Sequence, residues 1–134
     1  YDKIRLEQRK IGDGDDSNIV ILLPSGSKGL EAVEFFKNLR INVDHVFDNN
    51  GDDGFSRLKR GFCIKDKRLK MSTIHSFKGW GAGNVIILIP DSWKDSKELD
   101  NIVYTAMTRT QENLIVFNTN KRYFDFGNSL ESKW

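Results

Sequence analysis

Short apolar runs alternate with amphipathic segments along most of the chain. Residues 18–24 (NIVILLP) form a continuous β-branched and leucine run closed by a proline, which is typical of a strand buried on both faces of a parallel sheet. Residues 25–40 change to helical spacing and predict an amphipathic helix, with apolar side chains at positions 32, 35, 36 and 39. Ser25 or Ser27 can cap this helix. Residues 41–47 (INVDHVF) predict a second strand, which completes one β-α-β unit.

The same alternation continues in the second half of the chain. Residues 69–74 and 84–90 predict two further strands, and residues 62–64 (FCI) predict a short strand that pairs with 69–74 in a hairpin. Residues 97–109 predict an amphipathic helix, which is followed by a buried strand at 113–118. The apolar stripe of this helix consists of Leu99, Ile102, Val103, Ala106 and Met107.

This order of elements predicts an α/β fold, with an open, mostly parallel sheet and helices on both faces. Ligands of such sheets bind beyond the carboxyl ends of the strands. The polar residues that follow Leu23, Ile74 and Ile89 are therefore expected to gather at one edge of the sheet.

Length and composition fit one globular domain. The chain has 134 residues, 38% hydrophobic and 30% charged, and no apolar run approaches the length of a membrane span. We expect a polar N-terminal segment over residues 1–17 and one domain over residues 18–134, the whole being a fragment of a longer protein because it begins at Tyr1 rather than Met. The single cysteine, Cys63, excludes an internal disulfide and favours a buried thiol in a reducing, cytoplasmic compartment. The histidines and the cysteine lack metal-ligand spacing, so no metal site is expected.

Net charge is only +2, but basic residues are concentrated in one block. Seven of them lie between residues 57 and 70, against one acid, Asp66. Such a block is either a solvated face or a patch that contacts phosphates. The seven basic residues are Arg57, Lys59, Arg60, Lys65, Lys67, Arg68 and Lys70.

The segment LPSGSKGLE, residues 23–31, resembles a phosphate-binding loop but lacks its chemistry. A P-loop places a lysine directly after its last glycine, and no Gly-Lys pair occurs in the chain. Gly26, Lys28 and Gly29 therefore predict a turn from strand to helix, although the helix N-terminus could still face an anion. We expect the isolated chain to show no ATPase activity.

Residues 72–80 (STIHSFKGW) place hydroxyls, a histidine and a lysine at the end of a predicted strand. Donors of this kind fix nucleic-acid backbones, and Gly79 permits close approach of the main chain to a ligand. Taken alone, His75 is more typical of a hydrogen-bonded histidine at a strand end than of a ligand contact. Trp80 either packs against the core or stacks on a ligand.

A second string, residues 102–117 (IVYTAMTRTQENLIVF), places Arg109 near the end of a helix and immediately before a buried strand. Thr105 and Thr108 lie on nearby helical positions. An arginine at a helix end can pair with a carboxylate or with the last helical carbonyls, or it can be projected at a phosphate held by a neighbouring domain.

In this order, STIHSFKGW, NVIIL and VYTAMTRTQENLIV resemble motifs V and VI of superfamily 1 DNA helicases of the UvrD/Rep type, in their C-terminal RecA-like domain. The family patterns are T-x-H-x-x-K-G-x-E and Y-[VT]-A-[LM]-T-R-[AT]. The resemblance is close over residues 71–118 and architectural over residues 18–47. It implies a RecA-like sheet, which is the P-loop NTPase fold without its own P-loop.

The resemblance implies that motif V serves both DNA and nucleotide. Thr73, His75 and Ser76 would help to grip the backbone of single-stranded DNA. Lys78 and Gly79 would contact the nucleotide and would form the turn between the DNA side and the nucleotide side. Lys78 would also contact the DNA.

The resemblance makes Arg109 the catalytic residue. In the family this arginine reaches across an interdomain cleft to the γ-phosphate of ATP. Thr108 also belongs to the implied nucleotide-binding set, and Thr108 and Tyr104 would support the placement of the arginine. We expect Arg109 and the polar residues of 73–79 to share one exposed edge.

The implied function is that of a second motor domain in an ATP-dependent DNA helicase. The full-length protein would use ATP and Mg²⁺, with no cofactor in the isolated domain. Its partners would be single-stranded DNA or a duplex junction, and an N-terminal RecA-like domain of the same polypeptide, with no membrane partner. The interval between Phe47 and Met71 is too short for the large 2B insertion of UvrD and Rep.

Gly81 departs from the motif V pattern, because the family has a nucleotide-contacting glutamate at this position. One alternative function is therefore a non-catalytic nucleic-acid-binding domain derived from a helicase lobe. Another alternative is an unrelated doubly wound signalling or nucleotide-binding domain, for which the two motif matches would be coincidence.

Overall fold

The computed structural model describes residues 16–48, 66–92 and 97–131, which form a five-stranded sheet with flanking helices. A short 3-10 helix, Asp16–Asn18, precedes the first strand. The strands are β1 (Ile19–Leu23), β2 (Val43–His45), β3 (Leu69–Thr73), β4 (Ala82–Ile89) and β5 (Thr110–Asn118). The helices are α1 (Gly26–Asn38), α2 (Lys97–Met107) and α3 (Lys121–Glu131).

All strand pairs are parallel, in the order β2-β3-β1-β4-β5. The amino ends of the strands therefore lie at one edge of the sheet and the carboxyl ends at the opposite edge. This arrangement confirms the predicted open α/β sheet and is consistent with a RecA-like fold.

β1 is buried along its whole length, and its side chains alternate between two hydrophobic clusters. One cluster lies under α1 and the other under α2, so helices cover both faces of the sheet as predicted. The α1-side core includes Ile19, Ile21, Leu23 and Val33, and the α2-side core includes Val20, Leu22, Leu99, Val103 and Ala106.

Helix α1 begins where the capping signal places it, but its apolar face differs from the prediction. The Ser25 hydroxyl accepts a hydrogen bond from the Lys28 amide at 3.4 Å. Phe35 and Leu39, both in the predicted stripe, leave 61% and 55% of their surface exposed, whereas Val33 is buried. The apolar surface of α1 is therefore wider than the part the sheet covers.

Two features at the C-terminal end of the described chain differ from the predictions. Strand β5 begins at Thr110, before the predicted start at residue 113, and the prediction that it is buried is wrong, because it is an edge strand without a buried residue. Helix α3 was not predicted, although Asn120 supplies a capping signal: its side-chain oxygen accepts from the Arg122 amide at 3.1 Å. Tyr123 ties α3 to α2 by donating to the Asp100 carboxylate at 2.8 Å.

The predicted hairpin partner at residues 62–64 and the thiol of Cys63 lie outside the described residues. Within the described chain, both neighbours of β3 are parallel strands. No helix of the described ranges combines the length and the apolar character that a membrane crossing requires.

Candidate nucleotide and nucleic-acid site

Residues 74–81 form a crossover that joins opposite edges of the sheet. They leave the carboxyl end of β3 and enter the amino end of β4, which is parallel to β3 with β1 between them. The strand registers place these two points six residues apart along the strand direction, or roughly 20 Å. Ile74 and Phe77 anchor the crossover in the α2-side core, with exposures of 3% and 1%.

The hydroxyls at the carboxyl end of the crossover bond to each other. Thr73 Oγ1 donates to Ser76 Oγ at 2.8 Å and accepts from the Ser76 amide at 3.1 Å. Ser76 is 9% exposed, and the Phe77 amide donates to the Thr73 carbonyl at 3.1 Å. These two hydroxyls therefore close the turn, which is a structural role that the motif alone does not reveal.

His75 and Lys78 are the exposed polar side chains of this turn. Neither side chain makes a hydrogen bond or an ion pair with the residues that the structure describes. The described residues therefore supply no hydrogen-bond partner to the side chain of His75. Gly79 has φ +93°, a conformation that favours glycine, and it ends the turn. Trp80 follows, half-buried, and packs against both cores.

The amino end of the crossover lies against the residue before β5. The Ala82 amide donates to the Arg109 carbonyl at 3.1 Å, and Ala82 pairs with Thr110 in the sheet. A Cβ at Gly81 would lie 3.5 Å from the same carbonyl. Arg109 is thus at the amino edge of the sheet.

The expectation that Arg109 and residues 73–79 share one edge is therefore wrong. Thr73 ends β3 at the carboxyl edge, whereas Arg109 precedes β5 at the amino edge. The reason is that the motif V string spans the sheet, so only its last residues reach the arginine.

Arg109 is half-buried, and its buried Nε atom has no hydrogen-bond partner among the residues that the structure describes. The hydroxyl oxygen of the next residue, Thr110, is also buried without a hydrogen-bond partner in the described part of the chain. Within the described chain Arg109 forms no ion pair. Burial of a polar group without a partner costs about 1–3 kcal/mol, so most such groups in folded proteins are bonded. The explanation of Arg109 as a locally paired arginine therefore has no support in the described residues.

The other motif VI side chains either donate hydrogen bonds to carbonyls of α2 or face solvent. The Thr108 hydroxyl donates to the Thr105 carbonyl at 3.1 Å, and the Thr105 hydroxyl donates to the Asn101 carbonyl at 2.7 Å. Tyr104 is 69% exposed. The implied roles of Thr108 and Tyr104 in placing the arginine stay predictions.

A groove of about 730 Å³ lies at the carboxyl edge, between the ends of β1 and β4. Here α1 leaves β1 on one face and α2 follows β4 on the other, which is the switch point where α/β sheets commonly bind ligands. The polar residues expected at this edge are present, and so are two exposed aromatic side chains that the sequence pattern did not indicate. The lining includes Pro24, Ser25, Ser27, Lys28, Phe35, Pro90, Ser92, Phe117 and Thr119.

The described part of the basic block gives little support to a phosphate-contacting patch. Lys70 is fully buried, and its ammonium donates to the carbonyls of Asp66 and Arg68. Arg68 pairs with the Asp66 carboxylate at 2.7 Å, and these bonds hold the pKa of Asp66 well below its usual value. Lys70 therefore stabilises the start of β3 and is not a phosphate contact. The other members, except Lys67, lie outside the described residues.

Fold and site together define a parallel α/β domain with a spanning crossover and an arginine at the amino edge. Residues 69–117 match the family model of the UvrD-like helicase C-terminal domain. This match confirms the resemblance of this part of the chain to the C-terminal domain of UvrD/Rep-like superfamily 1 helicases. The matched part contains β3, the crossover, β4, α2, Arg109 and nearly all of β5. No curated protein matches the chain.

Proposed function

We propose that the chain is the second motor domain of an ATP-dependent superfamily 1 DNA helicase or translocase. Arg109 contacts the γ-phosphate of ATP held by an N-terminal RecA-like domain, and the turn at residues 73–78 holds single-stranded DNA. The family match and the parallel sheet support this proposal.

The observation that carries the proposal is the unpartnered Nε atom of Arg109. The described fold half-buries this side chain without supplying an acceptor for Nε. A phosphate oxygen from a neighbouring domain would be such an acceptor, and guanidinium groups match phosphate geometry. In phosphoryl transfer a guanidinium stabilises the charge that spreads over the transferred group in the transition state.

The DNA side of the proposal depends on His75 and Lys78. Both side chains are exposed at the carboxyl edge and have no partner in the described chain. Thr73 and Ser76 hold the turn in shape through their mutual hydrogen bond. Contacts of this kind go to the nucleic-acid backbone, so binding should be independent of sequence and weaken with salt.

The crossover offers a physical link between the two ligands. ATP can drive domain closure only if it binds the closed cleft better than the open one. Movement of Arg109 would be passed to the Gly81 end through the Ala82 hydrogen bond. Because Ile74 and Phe77 fix the crossover in the α2-side core, the crossover would move with the whole domain, so domain closure would shift the turn at its other end relative to the DNA.

Mg²⁺ and the P-loop would come from the partner domain. No group of three or more His, Cys, Asp or Glu side chains in the described ranges could hold a metal ion. The unpartnered Arg109 Nε fits a phosphate of ATP, and ATP with Mg²⁺ would supply the transferable phosphoryl group.

The test is substitution of Arg109 in the intact protein. Arg109→Ala should lower DNA-stimulated ATP hydrolysis about 10³-fold while leaving the Kd for single-stranded DNA within a few-fold. Arg109→Lys should recover little, because an ammonium lacks the planar fork of a guanidinium. Lys97→Ala, which removes an exposed cation from the other end of α2, is the matched control. Unchanged turnover in Arg109→Ala would overturn the assignment.

A second candidate is a non-catalytic nucleic-acid-binding domain, and Gly81 in place of the family's glutamate favours it. The two candidate functions predict different activities for the wild-type protein. The motor predicts ATP hydrolysis stimulated by single-stranded DNA, whereas the binding domain predicts salt-sensitive DNA binding with no hydrolysis.

A further inference from the structure

The two edge strands of the sheet differ in how they are protected from pairing with another strand. β2 forms one edge and has only three residues, Val43–His45. β5 forms the other edge and has nine residues, Thr110–Asn118, without a proline or a lysine. Short length, proline and lysine are common devices that keep an edge strand from pairing. Because β5 has none of the three, its outer edge is open to a further strand.

The outer edge of β5 carries backbone groups that no described strand pairs. In the described ranges, β4 is the only strand that bonds to β5. The Thr119 amide, directly after β5, donates to the Ile89 carbonyl at 2.9 Å. Alternate residues of a strand turn their backbone groups to the same side. The backbone groups of Leu114, Val116 and Asn118 therefore point away from β4.

The carboxyl half of β5 is apolar on both faces of the sheet. Residues 114–117 (LIVF) are consecutive and none of them is buried; Val116 and Phe117 leave 39% and 56% of their surface exposed. Leu114 packs against the α2-side core and Ile115 against the α1-side core. An uncharged apolar run of this kind at an edge favours pairing with another apolar strand.

We propose that a second copy of this chain pairs with β5, antiparallel, across a two-fold axis beside Val116. The axis sets Val116 opposite Val116 of the second copy and Phe117 opposite Ile115, so the exposed apolar side chains meet apolar neighbours. The outward backbone groups of residues 114, 116 and 118 bond to those of 118, 116 and 114. The two five-stranded sheets then form one continuous sheet.

Charge complementarity favours a second copy in the antiparallel direction. Glu112 lies near the amino end of β5, and Lys121 follows its carboxyl end at the start of α3. Both side chains are exposed, and neither forms an ion pair with the residues that the structure describes. The antiparallel pair brings Glu112 of each copy close to Lys121 of the other. A parallel pair would instead place like charges side by side, which is destabilising.

Sedimentation equilibrium of the intact protein tests the pairing. The wild-type protein should form a dimer at about 100 µM protein. Val116→Lys brings two ammonium groups together at the axis and should raise the dimer Kd more than about tenfold. Leu39→Lys is the matched control, because Leu39 is also an exposed apolar residue but lies at the end of α1 that leads to β2, on the opposite edge. Its dimer Kd should equal that of the wild type.

A charge swap tests the direction and the register. Glu112→Lys or Lys121→Glu alone replaces two attractions by two repulsions and should raise the dimer Kd about tenfold. The double variant should return the Kd to within about twofold of the wild-type value, a recovery that damage to the fold would not produce. Thermal unfolding of each variant checks the fold.

Three results would overturn the inference. They are a monomeric wild-type protein, which would leave the β5 edge to a different chain or domain, an equal Kd in Val116→Lys and Leu39→Lys, and no recovery in the double charge variant. The pairing involves neither ATP nor Arg109, so these results leave the proposed function standing.

Discussion

The two ends of the 74–81 crossover differ in how far the fold satisfies their polar groups. At the carboxyl end, the hydroxyls of Thr73 and Ser76 bond to each other and close the turn. At the amino end, Arg109 Nε and Thr110 Oγ1 are buried and have no hydrogen-bond partner among the described residues. In the folded domain the polar groups at the carboxyl end are hydrogen-bonded to each other, whereas those at the amino end can still bond to a ligand.

This difference separates groups that hold the domain together from groups suited to an external ligand. A satisfied hydroxyl contributes to stability, and its loss leaves its partner without a bond. An unpartnered buried donor costs stability in the free domain and recovers that cost only when an acceptor arrives. The two motifs thus contain residues that stabilise the domain as well as residues suited to binding a ligand, and the sequence pattern does not distinguish the two kinds.

Two cations show the same contrast within the amino edge. Lys70, near the start of β3, is fully buried with its ammonium bonded to two carbonyls. Arg109, before β5, has an unpartnered Nε atom. Charge alone did not distinguish them, since both are basic residues close to a predicted strand.

The largest effect on stability is expected for Lys70→Ala. The substitution removes a fully buried side chain and leaves the carbonyls of Asp66 and Arg68 without their donor. The free energy of unfolding should fall by about 3 kcal/mol, measured by urea denaturation. Lys67→Ala, which changes an exposed neighbour, should alter it by less than about 0.5 kcal/mol. Equal effects of the two changes would show that the Lys70 bonds contribute nothing.

An intermediate effect is expected when the two ends of the crossover receive the same substitution. Thr73→Val removes the donor to Ser76 Oγ and the acceptor of the Ser76 amide, so the free energy of unfolding should fall by about 1–2 kcal/mol. Thr110→Val removes a buried hydroxyl that has no partner, so stability should stay the same or rise. Chemical denaturation of both variants gives the comparison. A larger loss in Thr110→Val than in Thr73→Val would reverse the contrast between the ends.

The smallest effect concerns His45, at the carboxyl end of β2. Its Nδ1 atom is buried without a hydrogen-bond partner among the described residues, and burial, followed by the nearby Lys37 charge, lowers its pKa below the ordinary 6.5. The unfolded chain therefore binds the proton more readily, so the stability that His45 contributes is present above pH 6.5 and is lost as the pH falls through its folded pKa. Thermal unfolding between pH 8 and pH 5 should show a decline in Tm that His45→Gln makes shallower. An identical decline in both proteins would assign the acid sensitivity to other groups.

Strand and helix positions follow well from the sequence because period and capping are local properties. The buried run of β1 and the Ser25 cap of α1 appear as predicted, and so does the stripe of α2 except for Met107, which is 43% exposed. Helix α3 escaped prediction because its stability depends on contacts such as Tyr123 with Asp100, which lie far apart in the chain. The prediction that Phe35 belongs to the core-facing stripe of α1 is wrong, because both sides of α1 carry apolar residues and the sheet covers only one side.

The candidate site was predicted in part. The strings that contain Thr73, His75, Lys78 and Arg109 were visible from residue type and spacing, and the family match covers them. Their environments were not visible, since neither the hydroxyl pair nor the buried Nε has a local signature. The closeness of the Gln111 side chain to Gly81 was not visible from the sequence either.

The sequence by itself determined the class of fold, the order of the elements and the family of the two motifs. These properties depend on periodicity and on short strings, which are read without knowledge of distant contacts. Only the tertiary structure decided which cation is bonded and which edge each motif residue occupies. The reason is that parallel strands place the two ends of one eight-residue connection at opposite edges of the sheet, and each end meets partners supplied by other elements.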